Sequence, residues 1–213
     1  MQKWTFLLLL FVVCNSGAQE RELILWNKNI VSVSPWEEVS VVVAQKVHYT
    51  PKQNAVDLKY GEIFMEYEPK NWLEYGFGFR HSKLNIQNGN WLEENRPMFK
   101  LSLSKEIRKF ELSFSNRLEY RTFKENQDYF RHRQSLKLNF PNITNWGMQF
   151  YVSEESYLKL DEGDTHLARF YTGLKAIDKT HLDIMLYYSL QKSKRLDYWL
   201  TSDVVGLNFS FTI

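Results

Sequence analysis

The sequence predicts an all-β fold: a closed, antiparallel, up-and-down transmembrane β-barrel of about ten strands, twelve being the alternative count. The end of the chain is the first reason. Val205, Leu207, Phe209, Phe211 and Ile213 alternate with Gly206, Asn208, Ser210 and Thr212, and successive side chains of a strand point to opposite faces. One face of this last strand is wholly apolar, which suits a wall with lipid outside it better than one with water outside it. The second reason is that period-two patterning runs back from here to Glu37. The third is that no segment of the mature chain approaches the ~20 consecutive apolar residues of a membrane helix, so a strand-built wall is the remaining way across a bilayer.

Residues 1–18 read as an export signal. Lys3 supplies the positive charge, Phe6 to Val13 the short apolar stretch and Ser16-Gly17-Ala18 the small-residue cleavage site. Cys14 is the only cysteine. Phe11-Val12-Val13 before it lacks the small residue expected ahead of a lipidated cysteine, so Cys14 leaves with the signal. The mature chain then has no thiol for a disulfide, a metal or a nucleophile. Its length fits one domain. A net charge of +2 makes no electrostatic case for a nucleic-acid partner. Seven Trp, twelve Tyr and fifteen Phe suit aromatic girdles at two membrane interfaces.

The barrel is expected over residues 37–213. Val39, Val41, Val43, Val47 and Tyr49 form the apolar face of its first strand. Val56, Leu58 and Tyr60 begin the second; the pattern then slips to Ile63, Met65 and Tyr67, with Gly61 at the slip predicting a β-bulge. Leu73, Tyr75, Phe77 and Phe79 follow, then Phe99, Leu101 and Leu103, then Phe110, Leu112, Phe114, Leu118 and Tyr120. After them come Leu136, Leu138 and Phe140; Trp146, Met148, Phe150 and Val152; the weaker stripe Ala168, Phe170, Thr172 and Leu174; and Leu182, Ile184, Leu186, Tyr188 and Leu190. The terminal strand completes the set.

Connections alternate in length. Those at 68–71, 105–109, 141–145 and 178–179 are short. Those at 49–55, 83–96, 123–128, 154–165 and 192–201 are longer and polar, as periplasmic turns and outer loops would be. Residues 19–36 have strand-like composition with two mixed faces: Ile24, Trp26 and Ile30 against Leu25, Val31 and Val33. They fit a periplasmic extension, a segment folded into the barrel, or two strands of a twelve-stranded barrel. As an eleventh spanning strand they would start outside the cell.

With the apolar stripes outward, the other faces look into the lumen and are densely charged. One strand offers Glu111, Arg117, Glu119 and Arg121; the next offers Arg131, Arg133 and Lys137; Arg169, Glu74 and Arg80 add to them. Arg or Lys facing lipid at mid-bilayer costs about 2–4 kcal/mol each, so the charges belong inside. Eight strands are just filled by side chains and sixteen leave a channel; ten strands lined this way are expected to be largely plugged. The set Glu111, Arg117, Glu119, Arg121, Arg131, Arg133, Lys137 and Arg169 reads as an ion-pair network filling the lumen, or, more sharply, as an anion-binding site at Arg117, Arg121, Arg131 and Arg133.

Chemistry is harder to find. A lipid hydrolase needs a nucleophile with a base in reach. His81 and Ser82 are adjacent and so face opposite ways; His48 is inward and is the histidine to pair with Ser82. The histidines show no metal spacing. Asp161, Glu162 and Asp164 around Gly163 match a calcium loop only in part. No catalytic residue, metal or cofactor is assigned.

The succession Tyr75-Gly76-Phe77-Gly78-Phe79-Arg80, Arg96-Pro97, Leu101-Ser102-Leu103-Ser104, Phe114-Ser115-Asn116-Arg117-Leu118-Glu119-Tyr120-Arg121, Phe130-Arg131-His132-Arg133 and Tyr151-Val152-Ser153-Glu154-Glu155 resembles the family catalogued as domain-of-unknown-function 2490. The resemblance covers nearly all of the mature chain. It implies an outer-membrane β-barrel of a Bacteroidetes-type cell, and it brings no activity and no catalytic residues. The expected protein is therefore a monomeric barrel of the cell outer membrane, structural or ligand-binding, whose partners are outer-membrane lipids and the barrel-insertion machinery. A lipid-modifying enzyme and a narrow solute channel are the alternatives. Trp91 and Trp199 are expected at the outer girdle.

Overall fold

The computed structural model describes residues 21–213 except 88, 125, 196 and 197; the export signal and Cys14 lie outside the described residues. Eleven strands close into one barrel. They are β1 (Glu22–Trp36), β2 (Val39–Thr50), β3 (Ala55–Lys70), β4 (Leu73–Gln87), β5 (Asn90–Ile107), β6 (Phe110–Phe123), β7 (Tyr129–Asn139), β8 (Gln149–Lys159), β9 (Asp164–Lys179), β10 (Leu182–Arg195) and β11 (Tyr198–Thr212). Each strand pairs with its chain neighbours, and β1 pairs with β11.

The closed all-β barrel is as the sequence predicts, but the count is eleven rather than ten or twelve. The difference lies in β1. In an up-and-down meander an odd number of strands leaves the first and last running the same way, so the closing pair must be parallel. It is: Leu25 lies beside Val205, Asn27 beside Leu207 and Val31 beside Phe211. On its other edge β1 runs antiparallel to β2, with Trp26 opposite His48 and Val31 opposite Val43. The segment over 19–36 thus contributes one wall strand with both edges used. Its start lies at the rim opposite the C-terminus, because β1 and β11 run in the same direction.

Two-residue turns at 37–38, 71–72, 108–109 and 180–181 sit at the rim that carries the C-terminus, together with the longer connection 140–148. At the other rim the expected long loops are mostly strand. Residues 83–96 form the tip of a hairpin, since β4 continues to Gln87 and β5 begins at Asn90. Residues 154–165 shrink in the same way to a turn at 160–163, and within 192–201 β10 continues to Arg195 and β11 begins at Tyr198. The strands are 11 to 18 residues long, against the ~9–11 that cross a bilayer, so the hairpins rise beyond the height of a hydrocarbon layer. The slip in β3 also lies elsewhere than expected. Gly61 pairs regularly with Gln45, and the register shift falls opposite His48 and Tyr49, where Asp57 is the unpaired residue. Leu58 and Tyr60 consequently turn inward.

The wall sorts its side chains by sign of hydropathy, inverted relative to a water-soluble protein. Phe77, Met65, Phe150, Phe170, Leu186 and Phe211 are exposed on the outside, Phe77 at 62%. Glu94 and Glu119, both at 0%, are the largest fully buried side chains. A small apolar cluster of Trp26, Tyr151, Tyr187 and Val204 occupies one side of the lumen. Gly173 and Gly206 make room for it: a Cβ on either would lie within 2.5 Å of the Tyr151 or Tyr187 ring.

Candidate functional site

The inward charges form a connected system because the register sets acids opposite bases. Glu119 on β6 faces Arg131 on β7. Arg131 donates through Nε at 2.8 Å and Nη2 at 2.5 Å to Glu119 Oε2, and Arg96 Nη1 reaches the same oxygen at 3.3 Å. Arg96 also donates through Nε to Glu94 Oε1 at 2.7 Å. Arg121 grips both oxygens of Glu94, Nε to Oε1 and Nη2 to Oε2, each at 2.7 Å. The result is an unbroken chain Arg121–Glu94–Arg96–Glu119–Arg131, nearly free of solvent. Bidentate pairing of this kind fixes guanidinium planes as well as neutralising charge.

Two further carboxylates complete the centre of the lumen. Glu155 on β8 accepts from Arg133, from the Tyr157 hydroxyl at 2.8 Å and from the Tyr171 hydroxyl at 2.9 Å, with Arg169 at 3.8 Å. Glu62 on β3 accepts from Arg80 Nε at 2.9 Å and from Lys28 Nζ at 2.9 Å. Nearer the C-terminal rim, Lys100 bridges Glu66 and Glu74, 2.5 Å from each.

These groups surround a cavity of about 370 Å³, within the range typical of small-molecule pockets. Its lining is strongly basic: Lys28, Lys46, Arg80, Arg96, Arg117, Arg121, Arg131, Arg133, Lys137 and Arg169 all contribute. On the β1–β2 side, Lys46 Nζ stands 3.4 Å from the centre of the Trp26 ring, and His48 stacks on that ring at 4.3 Å and 12°.

The predicted network residues divide between two situations. Glu119, Arg121, Arg131, Arg133 and Arg169 lie in the ion-pair system. Glu111 lies apart from it and accepts from Asn139 Nδ2 at 2.8 Å. Among the described residues Arg117 has no carboxylate within ion-pair distance; it touches Met98 Sδ at 3.9 Å and sits over the Phe64 ring at 4.7 Å. Lys137 likewise lacks a carboxylate among the described residues and stands 4.7 Å from the Tyr151 ring. Sequence reasoning missed Glu94, Arg96 and Glu155 as members of the network because it placed them in loops. The signal was there: Leu92, Glu94, Arg96 and Met98 keep period two, with acid and base on one face. Lys28, Lys46 and Trp26 were missed because the pairing of β1 was open.

The tentative hydrolase pair does not form. Ser82 Oγ and His48 Nε2 are both buried without a hydrogen-bond partner. Ser82 pairs with Tyr60 across β3, whereas His48 pairs with Leu58. His81 instead lies on the outer face, hydrogen-bonded to Asn95 at 2.9 Å.

The family described as protein of unknown function (DUF2490) matches residues 24–200, most of the chain. The chain belongs to this family. The matched region of this DUF2490 protein begins in β1, covers β2 to β10 whole and ends three residues into β11. No curated protein and no solved structure matches the chain.

Proposed function

We propose that this DUF2490 chain is an integral barrel of the outer membrane, its strands crossing the bilayer and its charged lumen largely filled by its own side chains. The observation that carries this reading is the inversion of the wall. An outer surface bearing exposed Phe77, Phe99, Phe150, Phe170 and Leu186 is the kind of apolar face that soluble monomers rarely leave open to water. Hydrocarbon outside removes that cost, while the paired Arg and Glu inside keep each other company away from it.

Two bands of aromatic residues support the same placement. Trp36, Trp72 and Trp146 are exposed at the rim carrying the C-terminus, and Trp91, Tyr198 and Trp199 are exposed toward the opposite rim. Amphipathic rings favour the two membrane–water interfaces. Between them, the buried ion pairs across β5 to β8 favour a structural or ligand-binding role over free diffusion. Fractionation of cells expressing the full chain tests the placement: the protein is expected in the outer-membrane fraction, extracted by detergent and not by alkaline carbonate. Recovery in the soluble fraction overturns it. Planar-bilayer recordings are expected to show no large discrete conductance.

A further inference from the structure

We propose that the central cavity of the lumen is a binding site for a small soluble polyanion, a solute carrying phosphate or carboxylate groups, and that Lys46, Arg117 and Lys137 are the side chains that hold it. Ten basic side chains line the cavity. The carboxylates that pair with them are four: Glu62, Glu94, Glu119 and Glu155. Counted at their ordinary charges, the ten basic side chains exceed these four carboxylates by six. Cations withdrawn from water and left without counter-charge are strongly unfavourable. A lumen filled only for structural reasons would balance its charges, as Glu66, Glu74 and Lys100 come close to doing nearer the rim.

The excess is localised. Seven of the ten cations have a glutamate within ion-pair distance, leaving Lys46, Arg117 and Lys137 without one among the described residues; they lie against aromatic rings and a thioether. The cavity also receives His48, whose Nε2 is buried without a partner. A ring nitrogen there donates to an anion when it carries the proton. The three cations come from β2 and from the adjacent pair β6 and β7, and all border one space. The arginines bound to glutamate hold fixed planes around it and add to the field.

The lining also selects what enters. Tyr60, Tyr151, Tyr157, Tyr171 and Tyr187 supply ring faces and hydroxyls, whereas Leu58, Leu167 and Met185 are the aliphatic contributors among the described residues. Such walls suit a polar solute and offer no lodging for an acyl chain. The sharper sequence expectation placed an anion on Arg117, Arg121, Arg131 and Arg133. Three of those are occupied by glutamates, so the site moves across the lumen toward β2, with Arg117 alone retained.

Calorimetric titration of the detergent-solubilised full chain with sodium pyrophosphate and with citrate, at low ionic strength, tests the site. Saturable binding of at least one of the two is expected. Its affinity should fall about tenfold or more in Lys46→Gln and in Arg117→Gln, each of which removes a charge-assisted contact. Lys83→Gln, which removes a half-exposed lysine paired with Glu93 outside the cavity, should leave it unchanged. Each variant is first checked for the heat-modifiable electrophoretic shift of a folded barrel; Lys137→Gln replaces any that fails. Absence of binding by both probes, or equal affinity in folded cavity variants, overturns the proposal. The titration reads the lumen alone, so its result is independent of where fractionation places the protein.

Discussion

Glu119 and Arg131 meet in the middle of the barrel with one carboxylate oxygen taking two guanidinium hydrogens, while Glu119 Oε1 is buried without a partner. Arg96, the second arginine that donates to Glu119 Oε2, is itself held by Glu94. Among the described residues Glu119 is therefore the only ion-pair partner of Arg131 and one of two for Arg96. Breaking a buried pair by removing one partner costs about 3–5 kcal/mol, because the other charge stays behind. Glu119→Gln is expected to lower the unfolding free energy of the refolded barrel by that amount in urea titrations. Adding Arg131→Met to it should recover part of the loss, since the stranded guanidinium goes too. A double variant less stable than the sum of the singles contradicts this coupling.

The aromatic side of the lumen depends on backbone that carries no side chain. A Cβ at Gly206 would sit 2.1 Å from Cζ of Tyr187, and that ring is wedged against Trp26 at 6.4 Å and Tyr171 at 5.7 Å. It has nowhere easy to go. Gly206→Ala is expected to destabilise the barrel by about 1–3 kcal/mol, the usual cost of overpacking. Gly61 is the control: it faces outward, and a Cβ there meets nothing within 4 Å. Gly61→Ala should be neutral or slightly stabilising, as expected for glycine replaced in a strand interior. Equal effects at the two positions would contradict the packing argument.

Leu186 tests what lies outside the wall. It is half exposed, pairing with Leu174 on β9 and Leu207 on β11 in a fully apolar row. A cation on the lipid face at mid-bilayer costs about 2–4 kcal/mol, whereas an exposed surface substitution in water stays within about 0.5 kcal/mol. Leu186→Arg is therefore expected to lower stability in phospholipid vesicles by about 2–4 kcal/mol. A change of a few tenths there would place this face in water.

How far the fold could be read from the sequence depended on whether pattern alone carried the information. Phe209 and Phe211 announced the outward face because alternation is local and each strand repeats it. The inward set Glu111, Arg117, Glu119 and Arg121 followed from the same parity. Register is different: it depends on the partner strand, and a slip of one residue exchanges faces. Asp57 shifts β3 in this way, so Leu58 and Tyr60 line the cavity although their period matched the outward stripe. Glu94, Arg96 and Glu155 were read as loop because charge on an inward face looks like solvent exposure in a linear sequence. Lys46 and Lys28 could not be assigned to an anion site without knowing which strands face them across the lumen, and that depends on closure.

Closure rests on β1, the strand whose mixed faces hid its role. Its outward residues Leu25 and Val31 meet Val205 and Phe211, and inward it delivers Trp26 beside Gly206 and Lys28 to Glu62. Both edges are hydrogen-bonded, so β1 behaves as a central strand although it begins the described chain. A proline there has no N–H to give to either ladder and is excluded from central strands. Asn29 lies between Gln45 and Phe209, and Asn29→Pro is expected to break pairing on one edge and abolish the compact, heat-modifiable band. Deleting residues 22–36 should do the same more completely. A ten-stranded remainder has β2 and β11 as its free edges, and these run antiparallel to each other, so closure is topologically open to it. It would nevertheless lose Trp26 from the aromatic cluster and Lys28 from Glu62, and narrow the lumen around ion pairs already in contact. A deletion variant that still gives a stable folded band, with the unfolding free energy of the parent, would show that β1 is an accessory to a ten-stranded barrel rather than part of its closure.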